Sequence, residues 1–414
     1  MRNLIAIVAP VVALAPSTAL AQAAGPSPLE RARPEFDPVG ARIGSFELHP
    51  YAEAQGDWNS NVLARPEDEV DDTMLTLDAG LDVESLWRRH RVTARAYARQ
   101  TIHGELTTED VFEAGARVNG VYDISRETYL RGGVTADFLA EDRTAITNVS
   151  QAREPTRFRR FGATAALGHE LGDFELTFDA ALSTLDFDDA IAVDGTEIEQ
   201  DFRDSIYMRG ALTIAYDISP SVAAVVRGQV DRLDYTSDAI GPEELDRDTT
   251  GFAIEGGVRM QLTSLLFGEV RAGYLQRNSE DDRLPGASGL SFGANMQWDV
   301  TPLTTLRLFA DRQVEESGSL FNSGNIRSQV RLVAEHELLR NLILDGELRL
   351  ARIDSVGQFE EQADEYRVRA GVTYLANRRL RLFARFSRFE RMGSEGFFRD
   401  FNANRASFGV RLVF

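Results

Sequence analysis

Arg405-Ala406-Ser407-Phe408-Gly409-Val410-Arg411-Leu412-Val413-Phe414 is the stretch on which the fold turns. Ala406, Phe408, Val410, Leu412 and Phe414 share one parity. Arg405, Ser407, Gly409 and Arg411 share the other, and only Val413 departs from the rule. Successive side chains of an extended chain point to opposite sides, so this is a strand with one apolar face and one wet face. A soluble sheet can carry the same pattern. The rest of the sequence decides which solvent meets the apolar face.

The chain has 414 residues, of which 43% are hydrophobic. Beyond the first 21 residues no apolar run approaches the roughly 20 residues a spanning helix needs, which excludes a helical membrane protein. Cysteine is absent, so disulfides, thiolate metal sites and a lipidated amino-terminal Cys are excluded. All 45 basic residues are arginine, and the formal charge of -20 argues against nucleic acid as a partner. Residues 1–21 read as an export signal. Arg2 supplies the positive region, Leu4 to Ala15 the apolar stretch, and Ala19-Leu20-Ala21 the small-residue cleavage site.

Residues 22–44 hold Pro26, Pro28, Pro34 and Pro38 without periodicity, and are expected to form an extended periplasmic lead-in. From 45 to 414 one unit recurs: an alternating run, then a connection. The expected strands are 45–58, 73–87, 91–103, 109–123, 127–141, 156–170, 173–187, 203–217, 221–236, 248–262, 265–278, 287–299, 303–315, 325–338, 341–354, 364–377, 379–392 and 401–414. Their connections alternate between short turns and mostly longer, acidic stretches. That parity belongs to an antiparallel meander crossing a membrane, with tight turns on one side and long loops on the other. The expected fold is all-β, a transmembrane up-and-down barrel of about 18 strands; sixteen remains open if the first two runs lie outside the wall.

A further repeat marks one rim. Tyr122-Asp123-Ile124-Ser125, Tyr216-Asp217-Ile218-Ser219 and Trp298-Asp299-Val300-Thr301 end the fourth, eighth and twelfth runs, and Tyr374 sits near the end of the sixteenth. Amphipathic rings favour the headgroup level, so Tyr122, Tyr216, Trp298 and Tyr374 are expected to form a periplasmic girdle. The alternative is aromatics capping the hairpins of a soluble core. The apolar parity (Leu75, Leu77, Phe174, Phe178, Phe252, Ile254, Leu306, Leu308) carries almost no charge. The opposite parity carries both signs. Eighteen strands enclose more space than side chains fill, so that parity is expected to line water.

Phe36-Asp37-Pro38-Val39-Gly40-Ala41-Arg42-Ile43-Gly44-Ser45-Phe46, followed by Asp57-Trp58-Asn59-Ser60-Asn61, resembles the amino-terminal segment of an outer-membrane β-barrel porin family common in alphaproteobacteria. The final Phe414 likewise resembles the aromatic last residue of outer-membrane barrels, which implies a signal for the barrel-assembly machinery. Members are often encoded beside exopolysaccharide or holdfast synthesis genes. The resemblance therefore implies an outer-membrane channel with a role in polysaccharide secretion, bounded by lipid and lipopolysaccharide and meeting periplasmic polysaccharide-export proteins. It carries over no catalytic residue and no cofactor.

The expected lumen-lining residues are Arg227, Asp231, Glu255, Arg259, Glu269, Arg271, Arg307, Asp311, Arg327, Arg331, Glu335, Asp345, Glu347, Arg349, Arg367, Arg369, Arg381, Arg385 and Arg411. Arginine concentrates from Arg307 onward. One reading is a basic ladder for anionic or hydroxyl-rich polymers, opposed by Glu335, Asp345 and Glu347 across the pore. The other is that Arg–acid pairs satisfy each other and stiffen the wall. The acidic run from Asp186 to Asp204 lacks the ordered spacing of a calcium loop and reads as a solvated outer loop. His103 beside Glu105 is the nearest approach to a catalytic set, and no nucleophile accompanies it, so no enzyme is expected. A structural or adhesive barrel with a plugged lumen is the alternative to a channel.

Overall fold

The computed structural model describes residues 25–148, 152–237, 245–263, 265–315, 317–319, 321–358, 361–393 and 398–414. The export signal expected over 1–21 lies outside them. Eighteen strands form the wall. The first nine are β1 Phe46–Asn59, β2 Asp72–Ser85, β3 Arg91–His103, β4 Val111–Asp123, β5 Thr128–Ala140, β6 Arg157–Leu171, β7 Phe174–Phe187, β8 Ser205–Ser219 and β9 Val222–Tyr235. The rest are β10 Thr249–Thr263, β11 Leu266–Ser279, β12 Ala287–Thr301, β13 Thr304–Glu315, β14 Asn322–Leu339, β15 Leu342–Gly357, β16 Gln362–Leu375, β17 Leu380–Gly393 and β18 Phe401–Val413. Each pairs antiparallel with the next. β18 returns to β1 from Tyr51↔Val413 to Asn59↔Arg405, so the sheet closes. Closure leaves no strand edge unpaired, the condition for a sheet in hydrocarbon. The sixteen-strand alternative is excluded, because β1 and β2 are paired wall members.

The recurrent aromatic-Asp-x-Ser/Thr element has a local cause. Its hydroxyl caps the short turn: Ser125 Oγ accepts the Glu127 and Thr128 N–H groups at 3.1 and 3.0 Å, and Thr301 Oγ1 accepts that of Leu303 at 3.2 Å. In the turn after Tyr374 the Asn377 side-chain oxygen does the same for Arg379 and Leu380. A side-chain acceptor satisfies backbone donors that a tight turn leaves unpaired.

Side-chain alternation sorts the faces. Phe178, Val230, Ile254 and Phe408 on the outer face are all more than half exposed. Such a continuous apolar surface is what a lipid-facing band requires. Inside, large rings lie along the wall: Tyr129 over Gly168 and Phe383 over Gly409, each directly opposite in register. A Cβ on either glycine would stand 2.1 Å from a ring carbon, so only glycine admits this approach.

Two segments enter the barrel. The connection after β5 turns inward over residues 141–148. Ile146 packs on Ile353 of β15, Ala363 of β16 and Phe398, and Arg391 of β17 donates to the Thr144 carbonyl at 2.6 Å. These partners lie about half-way round the ring from β5. The root of the loop is held by Arg203, which bonds both Glu141 carboxylate oxygens at 2.6 and 3.2 Å with neither side chain exposed.

The second is the lead-in, and here the expectation of an extended segment needs correction. Residues 25–37 fold against the feet of β12 to β17. The Leu29 N–H bonds Glu335 at 3.0 Å, and Arg33 bonds Glu337 at 2.6 Å and the Arg340 carbonyl at 3.1 Å. Arg378 reaches the Pro34 carbonyl at 3.0 Å. Ala41–Ile43 then folds back on Phe46–Leu48 through Gly44, whose φ of 60° suits glycine. Prolines deny this stretch periodicity without denying it partners.

Candidate functional site

The inward charges differ from one sector of the lumen to the next. Across β7 to β12 the inward charges neutralise one another. Arg227 forks onto Asp179 of β7 at 3.1 Å for both bonds and reaches Thr213 at 2.8 Å. Arg259 bonds Glu175 at 2.5 Å and Glu269 at 3.0 Å, while Glu255 accepts from Arg271 at 3.0 Å and from Ser291 at 2.5 Å. Asp231 pairs with Arg277, and Glu269 pairs with Arg271. Bonds that skip a strand, such as Arg227 to Asp179, can form only on the concave face. In this sector Arg227, Arg259, Arg271 and Arg277 are each answered by a carboxylate.

The wall from β13 to β18 differs. Pairs exist at its margins: Arg307 with Glu335, Arg327 with Glu315 and Glu365 at 2.9 and 2.7 Å, Arg369 with Glu347 at 3.3 Å, and Arg411 with Glu53 at 3.3 Å and over the Tyr51 ring. Asp345 lies over Gly371 of β16. Buried Arg381 stands at the foot of β17 within electrostatic reach of Asp37, and Arg385 sits over the Phe383 ring at 4.2 Å.

The expected opposition of Glu335, Asp345 and Glu347 to the arginines is corrected. All three are on the arginine-bearing wall itself. The acid that faces the arginines is Asp142 of the inward loop, close enough to act electrostatically on Arg367. No periodicity marks a loop, so alternation offered no sign of it.

At mid-height the wall carries a row that strand order alone does not reveal. Arg331 of β14 stands opposite Arg349 of β15, and Arg349 stands opposite Arg367 of β16. The row is flanked in register by Phe309 and Phe389. Arg331 lies 4.5 Å from the Phe309 centroid and Arg367 4.9 Å from that of Phe389. Arg349 donates to Gln329 Oε1 at 2.9 Å through Nε, and Gln329 in turn donates to Asp311 at 3.1 and 3.2 Å. A neutral amide thus stands between Arg349 and the nearest acid of that chain of bonds. All three arginines retain partial access to solvent. Loop 141–148 lies outward of the row and segment 25–37 inward of it, both against the same wall.

The outer-face aromatics Tyr122, Tyr216, Trp298 and Tyr374 are 54%, 43%, 47% and 41% exposed, all at the short-turn rim. Tyr122 stacks on His90 and Tyr216 packs on Phe174. Phe414 is half exposed and its N–H bonds the Pro50 carbonyl at 3.0 Å, tying the last residue to β1. His103 is buried and faces Asp110 at 3.4 Å rather than Glu105. The acidic connection 188–204 contains a short hairpin, Ala190–Ile191 with Glu197–Ile198. Among the described residues no group of three or more His, Asp or Glu side chains is gathered to hold a metal.

The family model described as "Putative beta-barrel porin 2" matches residues 33–414. The chain belongs to this family. No curated protein matches its sequence. Among solved structures this family member is similar to the outer membrane protein OpdK from Pseudomonas aeruginosa, at 11% identity and a TM-score of 0.44, over 89% of this chain and 99% of that one. It is also similar to the copper transporter OprC, at 11% identity and 0.48, over 91% and 81%. The siderophore receptor PirA from Pseudomonas aeruginosa matches at 9% identity and 0.44, over 91% and 81%. The molecule is a porin-like β-barrel whose closed wall and apolar outer face suit the bacterial outer membrane.

Proposed function

We propose that this barrel is a passive channel that serves as an export conduit for exopolysaccharide. The observation that supports it is the mid-height arginine wall, solvent-reached inside a closed barrel and left between two lining segments. Guanidinium forks bond carboxylates and sugar hydroxyls, and they hold their charge at any physiological pH. Asp142 facing this wall sets a transverse field of the kind that selects ions in pores. Segment 25–37, at the periplasmic mouth, is where an export partner would engage, and Phe414 is the proposed contact for assembly. Lipid meets the apolar band and aromatic girdle, and lipopolysaccharide meets the acidic loops.

Planar-bilayer reversal potentials test the channel. Wild-type barrel should conduct with a preference for anions, and joint neutralisation of Arg331, Arg349 and Arg367 to glutamine should abolish that preference. Unchanged selectivity would end this reading. Polymer retained in the periplasm of cells lacking the protein would carry the polysaccharide part. A structural barrel is the second reading, favoured by the loop that crosses the outer half; a purified barrel silent in bilayers would select it.

A further inference from the structure

The arginine row sets like charges side by side on three neighbouring strands. Like charges placed directly opposite on neighbouring strands repel. Arg331, Arg349 and Arg367 are three such residues in one line. On β9 and β10, by contrast, Arg227 is met by Asp179 and Arg259 by Glu175. In the row, Arg349 instead meets the amide of Gln329, and Arg367 lies over the ring of Phe389. A ring face or an amide oxygen holds a guanidinium in place while leaving donors free for an acid. Neither neutralises it.

We propose that the row is a binding site for a chain bearing carboxylates on successive units, that is, an acidic oligosaccharide. The proposal rests on the channel reading of the lumen and names its substrate class. Two strand spacings put about 10 Å between the outer members of the row. A single carboxylate reaches one guanidinium, or two neighbours at most. Acidic groups carried along one chain reach several at once, and the second and third contacts are then intramolecular. The loop bearing Asp142 and the segment bearing Glu30 lie against this wall on either side of the row. Both present carboxylates towards arginines of this wall, Asp142 near Arg367 of the row and Glu30 to Arg307 beside it at 3.4 Å. They lie where an acidic ligand would be received.

Calorimetric titration of the detergent-solubilised full-length barrel with trigalacturonate, galacturonate and maltotriose, in low salt, tests the site. Trigalacturonate should bind at least about tenfold more tightly than the monomer, and maltotriose should give no heat above dilution. Arg349→Gln with Arg367→Gln should weaken the trimer by about tenfold or more. Arg349→Lys with Arg367→Lys should recover part of that loss. Equal binding of trimer and maltotriose, no trimer binding, or full affinity in the glutamine variant would overturn the proposal. If the variants do not fold, the three-ligand comparison on the wild-type protein decides. Conductance is not the readout: a silent barrel that binds the trimer counts against the channel alone, and a conducting barrel that ignores it counts against the site alone.

Discussion

Arg203 has no exposed surface, and its charge is answered by an equally buried Glu141. Removing one member of such a pair strands the other in a poor solvent, at about 3–5 kcal/mol. Arg203→Ala should therefore free the 141–148 loop while the wall persists, read as new protease sensitivity in that loop with unchanged heat-modifiable mobility of the barrel. The lipid face gives a complementary test. Ile254 points outward in the middle of β10, and Ile254→Arg should cost about 2–4 kcal/mol in denaturant titrations of the liposome-embedded barrel. No measurable cost would mean that this face meets water. At this scale the sequence was legible for parity and silent about partners. Alternation placed Arg227 and Arg349 inside alike; only the register shows that one meets Asp179 and the other meets two more arginines.

The strands were legible because each has period 2 and a short turn with its own chemistry. The two inserted elements have neither. Loop 141–148 and segment 25–37 take their shape from the wall they touch, so only tertiary contact defines them. The segment's attachment is largely electrostatic, and this gives it a pH dependence. Burial alone would raise the Glu30 carboxyl, but the Arg307 charge and the Ser27 N–H outweigh it and hold it below 4.5. The hydrogen bond from Arg340 lowers that of Glu35 from the same value. A carboxyl whose pKa falls on docking stabilises the docked state above its free pKa, and that stabilisation is lost as the pH falls through the lower value. A nitroxide on exposed Val39 should thus mobilise as the pH drops below 4.5 and stay unchanged above it. Mobility rising through neutral pH would refute this attachment.

At the scale of the whole molecule, one wall bears nearly everything that distinguishes this barrel from a plain cylinder. β12 to β17 receive the lead-in at their feet and the inward loop near their outer ends, with the arginine row between. Deleting residues 25–40 should raise single-channel conductance and leave ion preference intact, because the row stays in place. Unchanged conductance would show that the segment does not narrow the path. The lining is kept slim where rings press over glycines, Tyr129 on Gly168 between β5 and β6 and Phe383 on Gly409 between β17 and β18. Each such couple is one object written at two distant positions. An alanine at 168 would be ruinous beside tyrosine yet harmless beside a small residue at 129, so substitutions at these sites should be accepted only in tandem, and attempts to widen or reshape the bore must move both halves together.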